Sequence, residues 1–170
     1  MAKGSFVSKI YNSGPLILLY YLCISEVDTN FEKIFEFFTL NFQIILIYFW
    51  VLKRPEIMAN GHIFFAGLIN DVVMGFPLGI SSLSYLIIIF VGTYVRNKSV
   101  NTTIASDWVT FFMAMVFSNI LFFSLLNNFS DLSFSISKIG YNMFFTFFMF
   151  PIFWLLFNLY QMTFIGSRDA

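Results

Sequence analysis

Charged side chains make up only 11% of this 170-residue sequence, whereas a soluble domain carries roughly a quarter. Such a chain cannot clothe a water-facing surface. Its nine basic and nine acidic side chains cancel, so no net field attracts nucleic acid or an acidic substrate. A single cysteine, Cys23, excludes an intramolecular disulfide and any multi-thiolate metal site. The single histidine, His62, has no second His, Cys or nearby acid at ligand spacing, so it reads as an interfacial or packed side chain. Ser-His-Asp, Cys-His and paired-carboxylate arrangements are missing at any common depth. The expectation is a chain with no catalytic residues, no bound metal and no cofactor.

What is abundant is apolar surface. Hydrophobic residues reach 59% and aromatic residues 22%, and the 26 phenylalanines outnumber all charged side chains together. A core of this length cannot hide so many rings, so lipid must cover part of them. Six apolar stretches recur, at about 10–25, 37–52, 57–76, 80–95, 108–126 and 139–163. A spanning helix needs about 20 residues; the third, fifth and sixth stretches reach that length, and the others are short. The second can borrow length from 31–38, where apolar residues recur at helical spacing opposite Glu32, Lys33 and Glu36, an amphipathic approach suited to the headgroup region. The basic N-terminal start lacks a small-residue cleavage site after its apolar run, which predicts an uncleaved first span rather than a signal peptide.

Placement of charge orients the spans. Lys3 and Lys9 precede the first, Lys53 and Arg54 follow the second, Arg96 and Lys98 follow the fourth, and Arg168 follows the sixth. With six crossings these seven basic residues share one side. The other side holds Lys33 and Lys138 with Glu26, Asp28, Glu32, Glu36 and Asp131. The positive-inside rule then puts both termini in the cytoplasm. The fold class expected is an all-α, six-transmembrane-helix bundle, one membrane domain over 1–170.

The third stretch holds the densest pattern. Gly67, Asp71 and Gly75 recur every four residues, so they share one helix face. Small residues there let another backbone approach, and an acid on that face turns inward, away from lipid. The run Gly75-Phe76-Pro77-Leu78-Gly79 reads as a tight turn, after which Ser81 opens the fourth helix. Free N–H groups at that helix start suit the Asp71 carboxylate. A fold-holding hydrogen bond is the first reading of Asp71; a substrate or ion site is the other. Ser81, Tyr85, Ile88 and Gly92 form a face of the fourth helix suited to pack on Gly67 and Gly75. Trp50, Trp108 and Trp154 read as interfacial anchors, and Pro151 as a kink within the sixth helix. Asn119 and the face of Trp154, Asn158 and Gln161 read as hydrogen bonds between helices, with a pathway lining as the alternative. Arg54 and Pro55 sit in a short basic loop that either sets orientation or contacts a partner.

Two of these stretches resemble the MreD family of bacterial rod shape-determining membrane proteins. One is Tyr48-Phe49-Trp50-Val51-Leu52-Lys53-Arg54-Pro55-Glu56, similar to that family's aromatic-to-Arg-Pro junction. The other is Gly67 to Leu83, similar to its Gly-x-x-x-Asp-x-x-x-Gly-x-Pro-Leu-Gly signature; Asn70, Ile80 and Ser81 depart from it. The resemblance implies a non-enzymatic scaffold in the bacterial inner membrane. Its partners would be MreC and, directly or through MreC, MreB filaments, the RodA glycosyltransferase and a penicillin-binding transpeptidase. It also implies a bundle like the substrate-binding component of energy-coupling-factor transporters. That likeness supplies the rival expectation, a small-molecule-binding subunit of a transporter.

Overall fold

The structure is a computed structural model that describes residues 2–25, 41–98, 103–129 and 136–165. The amphipathic approach expected over 31–38 lies outside the described residues, as do Lys33, the five outer acids and Arg168. All regular structure among the described residues is helical: α1 (Ala2–Ser25), α2 (Phe42–Lys53), α3 (Asn60–Met74), α4 (Ile80–Lys98), α5 (Ile104–Phe129) and α6 (Ile136–Tyr160), which runs on into a π-helical turn over Gln161–Ile165.

Three of the described helices are long and apolar enough to cross a membrane: Ile80–Lys98, Ile104–Phe129 and α6 with its π turn, Ile139–Ile165. The fourth apolar stretch therefore makes a longer helix than its hydropathy predicts, because Arg96 and Lys98 extend it by a turn. The third makes a shorter one. Ile57 and Met58 belong to the preceding turn, and Gly75 stops the helix after 15 residues, a length of about 22 Å. Helix α6 continues through Pro151, and α1 through Pro15.

Helix α2 is the centre of the fold. Asn41 starts it, accepting a hydrogen bond from the Ile44 N–H at 3.2 Å, which satisfies one of the orphan donors of a helix N-terminus. All ten residues from Gln43 to Leu52 are then buried in succession. A helix apolar on every side must be surrounded, and α2 is. It packs on α1, α4 and α6, reaches α3 through Gln43 and Asn70, and reaches α5 through Tyr48 and Phe111. Helix α4, in turn, is wedged between α2, α3 and α5.

Rings fill the space around α2. Phe111 of α5 stacks on Phe150 of α6 with centroids 4.2 Å apart, and Tyr48 meets both edge-on. Outward, Phe90 is 72% exposed, Val72 67% and Ile120 61%. A coat of such residues suits lipid rather than water.

Candidate functional site

Two buried polar clusters lie at opposite ends of α2, separated by ten residues or about 15 Å of helix.

The first joins α3 to α4. Gly75 adopts the left-handed conformation, with φ 69°, a region that side chains other than glycine enter at a cost. The N–H groups of Gly75 and Phe76 fold back onto the carbonyls of Val72 and Asp71 at 3.4 and 2.9 Å. The chain then turns through Pro77, whose carbonyl accepts from the Ile80 N–H at 3.4 Å. This brings the start of α4 over the Asp71 side chain. One carboxylate oxygen accepts from the Gly79 N–H at 2.7 Å and the other from the Ser81 N–H at 2.9 Å. Asp71 is completely buried. The first N–H groups of a helix have no partner within it and carry its positive dipole end, so an acceptor of this kind removes a cost that is severe away from water.

Beside it runs a chain of side-chain hydrogen bonds. The Asn70 amide donates to the Ser81 hydroxyl at 3.0 Å and its carbonyl oxygen accepts from the Gln43 amide at 3.1 Å. The Tyr85 hydroxyl donates to the Gln43 carbonyl oxygen. Three helices, α2, α3 and α4, are thus tied at one level by buried polar groups. The close approach of α3 and α4 is at Gly67, where an added Cβ would lie 2.5 Å from the Ser82 Cα; the Ser82 hydroxyl donates to the Phe64 carbonyl at 2.9 Å. The expected packing of the Ser81, Tyr85, Ile88 and Gly92 face on Gly67 and Gly75 is therefore corrected. Ser82 meets Gly67, nothing among the described residues lies within 4 Å of a Cβ at Gly75, and Gly92 packs on Val51 and Tyr48 of α2. The wedged position of α4 divides its face between α2 and α3.

The second cluster is at the C-terminal end of α2. The Lys53 ammonium lies 3.0 Å from a carboxylate oxygen of Asp107, in the first turn of α5. The Trp154 indole N–H donates to the same oxygen at 3.0 Å, and Lys53 sits 5.4 Å from the centroid of the Trp154 ring. An acid at a helix start and a base at a helix end each suit the local dipole, and the ring face adds attraction to the cation. Arg96 of α4 donates to the Val51 carbonyl at 2.9 Å, one of the last carbonyls of α2 that the helix leaves unpaired. Arg54 stops α2, its N–H donating to the Trp50 carbonyl at 2.7 Å. Its guanidinium reaches Glu56 at 3.5 Å, an outlying pair of small energetic weight. Pro55 occupies the turn closed by the Ile57 N–H on the Arg54 carbonyl at 3.1 Å.

Sequence reasoning placed Trp50 and Trp154 at the membrane interface, and the structure corrects this. Trp50 is 1% exposed and Trp154 8%, because Trp50 faces Phe157 and Tyr160 of α6 and Trp154, from α6, faces Phe49 of α2 and Asp107 of α5. Among the described residues, Trp154 is the member of the polar face on α6 that crosses to another helix; Asn158 reaches Met162 on its own stretch, and Asn119 donates to Met115 within α5. Three participants were missed altogether: Gln43, Asn70 as a bridge, and Asp107. An amide inside the apolar run 42–52 and an acid opening the run from 108 were the available signals, but neither names its partner.

A model of the family described as rod shape-determining protein MreD matches residues 10–163. The chain belongs to the MreD family. No curated protein and no solved structure matches it significantly. Membership implies a role in rod-shape determination, in a family of shape-determining membrane proteins rather than one of known enzymes. The matched stretch of this MreD chain includes both polar clusters.

Proposed function

We propose that this MreD-family protein is a six-crossing, non-enzymatic scaffold of the bacterial inner membrane, with both termini cytoplasmic. It binds MreC and, directly or through MreC, the MreB filaments, RodA and a penicillin-binding transpeptidase. The observation that carries this reading is the interlocked interior. Asp71 spends both oxygens on the start of α4, Gln43, Asn70, Ser81 and Tyr85 bond to one another, and rings fill the space around α2. These polar groups hold helices together, which suits a rigid platform. A transporter subunit would instead need convergent polar groups around a cavity able to enclose its ligand.

Two further observations support the topology. Lys53, Arg54 and Arg96 gather at one end of the bundle, Arg96 through its bond to Val51, as the positive-inside rule requires of a cytoplasmic end. The short α2 is shielded from lipid by its neighbours, so its 12 residues need not match the full hydrocarbon thickness alone. A bundle like that of energy-coupling-factor substrate-binding components belongs to the same proposal.

Affinity purification from bacterial membranes in mild detergent tests the function. Recovery of MreC and the wall synthases is the expected result. Recovery of an ATPase pair with a bound vitamin overturns it in favour of a transporter subunit.

A further inference from the structure

Away from both clusters, a lateral groove of about 370 Å³ runs between the start of α3 and the second half of α4. Its polarity is divided along its length. Leu86, Ile89 and Phe90 line the part nearer mid-helix, and Asn60, Tyr94 and Asn97 line the part at the end of the bundle. Lys98 stands at that end, its ammonium 5.8 Å from the centroid of the Tyr94 ring. Among the described residues no acidic side chain lines the groove, and the sequence from Asn97 to Ser106 contains none. Phe90 and Tyr94 are 72% and 58% exposed, so the groove opens sideways, where lipid would lie.

We propose that this groove is a binding site for an anionic phospholipid, with an acyl chain along Leu86, Ile89 and Phe90 and the phosphate headgroup at Lys98, Asn97 and Asn60. The inference rests on the orientation proposed above, in which the end of α4 is cytoplasmic, but not on the identity of any protein partner. Charge complementarity selects this occupant. A basic residue with amide donors above an apolar channel matches an amphiphile with one negative end, and basic pockets beside transmembrane helices at the cytoplasmic face bind acidic headgroups. A protein helix would leave the amide-lined end, with Lys98 beside it against Tyr94, without a matching anion, whereas a zwitterionic lipid would bring its own cation against Lys98.

The test uses the full chain in detergent micelles doped with lipids carrying brominated acyl chains, which quench tryptophan fluorescence on contact. Phe90→Trp places the reporter in the groove, and Ile120→Trp, on an exposed face of α5, reports general lipid contact, each read as the quenching it adds to that of the parent chain with its three native tryptophans. The expected result is a roughly fivefold preference for brominated phosphatidylglycerol over brominated phosphatidylcholine at position 90, the weight of one lysine near an anionic headgroup. No preference should appear at 120. Lys98→Gln should abolish the preference at 90 without changing thermal unfolding. Equal quenching by both lipids means annular lipid only and overturns the site. So does absence of quenching at 90 while 120 is quenched, which means that a second copy or another protein covers the groove. A preference that survives Lys98→Gln also overturns it. Since no MreC is present, failure here leaves the scaffold reading intact, and failure to recover MreC leaves this one intact.

Discussion

The Lys53 ammonium and the Asp107 carboxylate meet at 3.0 Å although 54 positions separate them in the chain. Asp107 has no exposed surface, and the Lys53 side chain is 18% exposed. Trp154 completes the arrangement from a third helix by donating to the oxygen that Lys53 contacts, while the second Asp107 oxygen is buried without a hydrogen-bond partner among the described residues. A buried charge in such a place is tolerable only while its counter-charge stays. The pair therefore locks the end of α2 to α5 and α6, and holds the adjoining Arg54-Pro55 turn in position.

Removing one member should cost more than removing both. Lys53→Met leaves the carboxylate of Asp107 buried beside a single indole N–H, a situation worth about 3–5 kcal/mol of destabilisation. The double variant Lys53→Met with Asp107→Leu should recover much of that loss. Thermal unfolding in detergent measures both. A double variant no more stable than the single one would show that the pair is not the source of the cost.

Asp71 should be sensitive to the number of acceptor atoms rather than to size. Asp71→Leu removes acceptors for the Gly79 and Ser81 N–H groups and should cost about 3 kcal/mol or more, since hydrogen bonds to a charged group contribute about 1.5–3 kcal/mol each. Asp71→Asn keeps one acceptor and should fall between. Accumulation in membranes and the unfolding midpoint should follow the order Asp, Asn, Leu. Wild-type behaviour of Asp71→Leu would remove the carboxylate from any role in the fold.

How much of this was visible in the sequence depends on distance along the chain. Asp71, Gly79 and Ser81 lie within eleven residues, and a turn signal sits between them, so local chemistry suggests their meeting. Lys53, Asp107 and Trp154 come from three separated helices, and nothing in their spacing links them. Tryptophans in apolar runs read alike whether they end at a lipid interface or inside a bundle; Trp50 is inside because α2 is surrounded. For the same reason α2 read as a short span, when its consecutive burial marks the central helix. Asn70 stood out only as a departure from a family pattern, yet it bridges Gln43 and Ser81.

Gly67 and Gly75 should respond differently to alanine. At Gly67 the new Cβ would stand 2.5 Å from the Ser82 Cα and 2.7 Å from its nitrogen, and backbone cannot yield as a side chain can. Helices α3 and α4 would have to part, at about 1–3 kcal/mol. At Gly75 no described residue stands in the way, and the cost is conformational, about 1–2 kcal/mol for a left-handed residue with a side chain. Gly61→Ala, in open space near the start of α3, should be neutral or slightly stabilising. Unfolding midpoints should separate Gly67→Ala and Gly75→Ala from Gly61→Ala. Equal stability of Gly67→Ala and Gly61→Ala would contradict the close approach.

Helix α3 makes the sharpest test of six crossings. Its 15 residues extend about 22 Å, against a hydrocarbon core of about 30 Å, so it can join the two faces only if its flanking turns lie within the membrane boundary. Single cysteines at Glu56, Leu78 and Asn97, in a Cys23→Ala background, mark the turn before α3, the turn after it and the end of α4. Leu78 is 71% exposed, and Glu56 and Asn97 are also exposed, so all three can react. An impermeant thiol reagent added outside intact spheroplasts should label position 78 and spare 56 and 97 until the membrane is opened. Similar labelling at 56 and 78 would mean that α3 re-enters the side it came from. Similar labelling at 78 and 97 would instead deny the crossing to α4. Because Lys53 is engaged with Asp107, reversing both Lys53 and Arg54 would confuse topology with folding; Arg54→Glu alone, combined with these three cysteines, isolates the topogenic charge. With Lys53, Arg96 and Lys98 left at the same end, the labelling pattern should remain unchanged.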